Sequence, residues 1–72
     1  MRAMHRYLVI IEKAKGNYSA FSPDVPGCIA TGTTREEVEK EFHLALQMHL
    51  EGLKEDGLPI PRPSASVGYI EV

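Results

Sequence analysis

Cys28 is the sole cysteine of the chain, and His5, His43 and His49 are its only histidines. Thiol chemistry must draw on these four residues. A cysteine nucleophile needs a base within reach and an electropositive setting that lowers its pKa. None of the histidines stands at a motif spacing from Cys28, and free cysteine commonly serves as a small buried hydrophobe. It therefore reads as a packing residue at the start of a strand. Zinc fares no better: one cysteine and three scattered histidines contain no pair at ligand spacing, and His43 and His49, six positions apart, fall on different faces of a helix. A carboxylate site is the other chemistry to weigh. Asp24, Glu12 and Glu71 could hold magnesium for phosphodiester cleavage if neighbouring strand ends met. Like charges that close need a cation or a proton to coexist, and solvated strand ends are the common fate of such acids. The expectation is no catalytic, cofactor or metal site, with a metal-dependent nuclease built on Glu12 and Glu71 as the alternative.

The most distinctive stretch is Phe21-Ser22-Pro23-Asp24-Val25-Pro26-Gly27-Cys28. Two prolines of fixed φ, one permissive glycine and an aspartate able to cap local amides make a turn. The elements on either side give it a place. Arg6 to Lys13 is rich in β-branched and aromatic residues, with Tyr7, Val9 and Ile11 on one face and Leu8 and Ile10 on the other, so it reads as a strand buried on both sides. Lys15-Gly16-Asn17 supplies a tight turn in which glycine and asparagine can take positive φ. Tyr18 to Ser22 returns as a second strand and Cys28 to Gly32 forms a third, so the proline turn connects strands two and three.

Thr33-Thr34-Arg35-Glu36-Glu37 has the spacing of a helix capping box, and its early glutamates suit the positive end of the helix dipole. At 100° per residue, Val38, Phe42, Ala45, Leu46, His49 and Leu53 share one stripe that should pack on the sheet. Leu44 and Met48 lie off it, one turn apart, as an apolar strip that marks a contact surface. Gly52 weakens the helix interior, Gly57 ends the helix, and Pro59, Pro61 and Pro63 enforce an extended return. Val67 to Val72 reads as a final strand. The order is βββαβ, an α+β fold in one domain over residues 1–72. A right-handed crossover would set strand four parallel to strand one, giving the sheet order 3-2-1-4 with the helix on one face. The other face needs a second chain or a partner.

Length and charge narrow the function classes. A 72-residue chain sits near the lower size at which one core outweighs chain entropy. Without an internal disulfide it calls for self-association or a partner. The longest apolar run, Tyr7 to Ile11, falls far short of the ~20 residues of a membrane helix, and the N-terminal residues lack the long apolar stretch of a signal peptide. The expectation is a soluble cytoplasmic protein. Between Thr34 and Asp56 seven acids face three bases, whereas only Arg2, His5 and Arg6 make a basic cluster. Direct binding of nucleic acid by this chain alone is disfavoured, and an acidic helix suits a basic protein partner.

The strand beginning RYLVIIEK, the run Tyr18 to Cys28, the block Thr31-Gly32-Thr33-Thr34-Arg35-Glu36-Glu37 and the block Gly57 to Ser64 together resemble the HicB-like antitoxin family, in order and spacing, from Arg6 onward. The resemblance implies a partial ribonuclease H-like fold without enzymatic activity. It also implies membership of a type II toxin–antitoxin pair, in which the antitoxin covers a small basic HicA-type toxin that cleaves mRNA. It makes Pro23, Asp24, Pro26, Gly27 and Cys28 a signature loop, with Asp24 and Gly27 fixing its shape and Cys28 opening a packed strand. Many family members carry a C-terminal DNA-binding domain. This chain ends at Val72, so a short stand-alone form without that domain is expected, its expected partners being a toxin and further copies of itself. An orphan oligomeric interaction domain is the blander alternative.

Overall fold

The computed structural model describes residues 5–72; Arg2 of the N-terminal basic cluster lies outside them. The described elements are β1 (Ile10–Ala14), β2 (Asn17–Phe21), β3 (Ile29–Gly32) and α1 (Arg35–Glu55). The strands form an antiparallel meander in the order β1-β2-β3, and the helix packs over β2 and β3. β1 starts later than its composition suggests, because Ile10 pairs with Phe21 and beyond Phe21 the chain bends away at Pro23. Residues 6–9 therefore have no antiparallel partner. At the hairpin tip Ala14 pairs with Asn17. Only Gly16 takes positive φ there, and Asn17 joins the strand rather than the turn.

Strand alternation sorts the two faces. Ala20, fully buried, pairs with Ile11 on one side and Ala30 on the other. These face the helix, where Val38 and Phe42 complete the buried core together with Val25 and Cys28. Tyr7, Val9, Ile11, Ala45 and Leu46 pack around it half-buried. The opposite parity sets Ile10, Phe21 and Ile29 in register across all three strands, on the face without a helix. Ile29 is 64% exposed. β1 is thus half-buried on each face rather than sealed on both.

The helix is held at both ends as its sequence dictates. Thr34 Oγ1 accepts from the Glu37 amide at 3.0 Å, and the Glu37 carboxylate reaches back to the amide and hydroxyl of Thr33, one residue further than the usual capping box. At the C-terminus the Leu58 amide donates to Leu53 O and the Gly57 amide to Lys54 O, a Schellman closure. The stripe from Val38 to Leu53 faces inward, fully buried at Val38 and Phe42 and half-buried beyond. Gly32 permits the close approach: a Cβ there would lie 2.8 Å from the Val38 amide nitrogen.

The fourth strand is not formed. Residues 59–72 carry no regular secondary structure, and the sheet has three strands rather than the expected 3-2-1-4 set. Tyr69, Ile70 and Val72 are 92%, 89% and 122% exposed. The segment runs beside Leu8 to Ile11 without a backbone hydrogen bond to them.

Candidate functional site

Two linked turns build the signature loop. The Val25 amide donates to Ser22 O and the Cys28 amide to Val25 O, with Pro23 and Pro26 each in the second position, where a fixed φ helps most. Gly27 has φ +85°, the value demanded at the third position of a type II turn, which strains any residue with a Cβ. The two turns drive Val25 and Cys28 into the core at 1% and 6% exposure. They leave the Asp24 carboxylate turned outward.

That carboxylate reaches across the molecule to the segment after the helix. Ser64 donates to it from its amide at 3.1 Å and its hydroxyl at 2.9 Å, and Ala65 donates from its amide at 3.1 Å. The Ala65 amide foremost, and Ser64 with it, hold the Asp24 carboxyl below its ordinary value, against a smaller opposing effect of burial. Tyr7 makes a parallel tie, its hydroxyl donating to Pro61 O at 2.6 Å. Burial first, and then the nearby Asp24 charge, push the Tyr7 phenol up, which keeps it a proton donor. The proline path from Pro59 to Pro63 is thus fastened at two points. Composition marks the loop as a turn; the partners of Asp24 lie in an unremarkable Ser-Ala pair that no local pattern connects to it.

The candidates for covalent and metal chemistry disperse. Burial raises the Cys28 thiol pKa, the opposite of what a nucleophile requires. Glu12 and Glu71 are both exposed, and both Asp24 oxygens are taken by Ser64 and Ala65. Among the described residues no three metal-ligating side chains gather. His43 is exposed, whereas His49 is half-buried on the packed stripe.

Exposed apolar flanks are what remain. Leu44 and Met48 are 50% and 67% exposed, as their place off the stripe requires. Met48 lines a groove of about 410 Å³ with Cys28, Ile29, Ala45 and His49. Ile29, which the sequence did not single out, joins this groove to the Ile10–Phe21–Ile29 row. The acids Glu36, Glu37, Glu39, Glu41, Glu51, Glu55 and Asp56 are all exposed around the helix. Among the described residues no helix is long and apolar enough to cross a membrane.

Known proteins resemble this chain in sequence, and a solved structure resembles it in fold. The chain is 36% identical over 64 residues to a 14.9 kDa protein from the rep–hol intergenic region of Haemophilus phage HP1, covering 89% of this chain and 48% of that protein, so it spans about half of the phage protein's length. It is 32% identical over 72 residues to a UPF0150 protein of Synechocystis, covering 99% and 91%, and 34% identical over 61 residues to one of Thermoplasma acidophilum, covering 83% and 88%. Among solved structures, a chain of the HicA3 and HicB3 toxin–antitoxin complex matches with TM-score 0.71 at 30% identity, over 83% of this chain and 70% of the other. The model of the HicB-like antitoxins of bacterial toxin–antitoxin systems matches residues 7–71, a span that takes in the proline loop, the capped helix and the Asp24-bound segment alike, and the chain belongs to that family.

Proposed function

We propose that this chain is an antitoxin-type binding module that neutralises a small, basic, HicA-like RNA-cleaving toxin by covering it, without catalysis of its own. The observation that carries this reading is the combination of family membership with the likeness to a chain of a toxin–antitoxin complex. The dispersal of thiol, histidine and carboxylate candidates supports contact rather than chemistry, on a partial ribonuclease H-like scaffold. The contact surface is the β3 side of the molecule, where Leu44, Met48 and Ile29 supply exposed apolar area. The ring of acids on the helix steers a basic partner toward it and competes with RNA for the partner's cationic face. The setting is cytoplasmic, the assembly a homodimer or higher oligomer, and no direct DNA contact is assigned to so acidic a helix.

The test is co-expression with the short basic reading frame expected beside its gene. Growth arrest by that neighbour should be relieved, and the two chains should purify together. No complex and no relief would overturn the antitoxin reading.

A further inference from the structure

The free edge of β1 and the segment after Ala65 lie side by side without pairing. Ala65 to Val67 stand opposite Arg6 to Val9, and Ser66 to Tyr69 opposite Leu8 to Ile11, with Arg35 between, across a groove of about 470 Å³. The tail therefore runs in the same sense as β1. No backbone hydrogen bond joins the two walls, so each presents unpaired amides and carbonyls to the gap. Under the helix the same margin is open: Val9, Ile11, Phe42 and Leu46, with Arg35, Glu39 and His43 also in its lining, border a mainly apolar cavity of about 360 Å³. A strand laid along β1 would fill the gap and send every second side chain into that cavity.

We propose that the occupant is the C-terminal segment Val67–Val72 of a second copy of this chain, exchanged reciprocally. Its sequence, Val-Gly-Tyr-Ile-Glu-Val, has the β-branched and aromatic character of a strand. Ile70 and Val72 share one parity and would enter the cavity together. In their own chain these residues touch almost nothing, at 89% and 122% exposure, while the Asp24 bonds to Ser64 and Ala65 hold the root of the tail on the far wall of the groove.

A chain that carries both an open edge and an unused strand is complementary to itself, and a two-fold exchange closes both edges where a one-way addition would propagate into fibres. Within that symmetry the incoming tail lies between β1 and the resident tail, antiparallel to both. The result is one continuous sheet in the order β3-β2-β1-tail-tail-β1-β2-β3. The additional burial also answers the need of a small chain whose core seals five hydrophobic residues among those described.

This deepens the assembly named in the proposed function and is independent of the toxin. Light scattering should give twice the 8.0 kDa chain mass, and Ile70→Lys and Tyr69→Pro should each return it to a single-chain mass with the helix signal in circular dichroism retained, since both residues are exposed in the isolated chain. In a mixed sample of isotope-labelled and unlabelled chains, filtered NMR experiments should show Ile70 of one copy against Val9 and Ile11 of the other. A monomeric wild type, a dimer indifferent to both variants, or contacts of Ile70 with Val9 found only within one chain would overturn the proposal. Relief of toxin arrest that survives in Ile70→Lys leaves the antitoxin reading standing, so the two can fail separately.

Discussion

Asp24 and Ser64, 40 positions apart, share two hydrogen bonds, one from the serine amide and one from its hydroxyl. The pair joins the connection between β2 and β3 to the segment that follows the helix, so the loop and the C-terminal path hold one another in place.

Asp24→Ala should release that path. Three acceptor contacts disappear while the two turns of the loop, made by backbone, stay closed. Hydrogen exchange should accelerate at the Ser64 and Ala65 amides and leave the β2 amides protected, with a modest fall in the urea midpoint. Unchanged exchange at Ser64 and Ala65 would contradict the tie.

Acid should weaken the fold through two carboxylates. The amides of Ala65 and Thr33 depress Asp24 and Glu37 below their ordinary values of 3.8 and 4.5. A group whose folded pKa is depressed contributes fully above its unfolded pKa, and its contribution is lost as pH falls through the folded value. The stability difference between wild type and Asp24→Ala should be constant at neutral pH and shrink as the pH falls below the ordinary carboxylate value of 3.8, as followed by urea titrations at each pH.

Gly32→Ala should destabilise the chain. The added methyl would meet the Val38 amide nitrogen at 2.8 Å, and the backbone there cannot rotate aside as a flexible side chain would. Overpacking of this kind costs about 1–3 kcal/mol, which outweighs the ~0.4–1 kcal/mol gained from a less flexible unfolded chain. Thermal melts should show a Tm lower by about 4–8 °C for each kcal/mol lost.

The Cys28 thiol should be inert while the chain is folded. It is buried and its pKa is raised, so an aromatic disulfide reagent at pH 7.5 should react orders of magnitude more slowly with native protein than in denaturant. A native rate equal to the unfolded rate would place the thiol outside the core.

Leu44→Glu and Met48→Glu should leave the thermal melt unchanged, because both side chains are exposed, yet weaken capture of the basic partner by tenfold or more in titration calorimetry. Equal affinity in both variants would move the contact surface away from this flank.

Local order along the chain was readable because each signal acts over a few residues. Thr34, two residues after the strand glycine, caps the helix together with Glu37, Gly57 closes it, and the stripe from Val38 to Leu53 chooses its buried side. Two features escaped for one shared reason: both depend on what a segment meets after folding. The alternation in Val67–Val72 announces a strand but not its pairing, and the segment lies beside the free edge of β1 without a hydrogen bond to it. Asp24 in a proline turn looks like a residue that caps its own loop, while its oxygens are used by amides far along the chain. The Ile10–Phe21–Ile29 row required the register, which places three separated residues abreast.

The bonds made by Asp24 also alter what the last seven residues are in physical terms. Rooted at Ala65, residues 66–72 can sweep no more than about 23 Å from a fixed point, so they behave as a short tether rather than a free end. Any surface within that radius meets them at the millimolar local concentration typical of short linkers. Loosening the root should therefore reduce how often the tail finds its target long before it disturbs the fold.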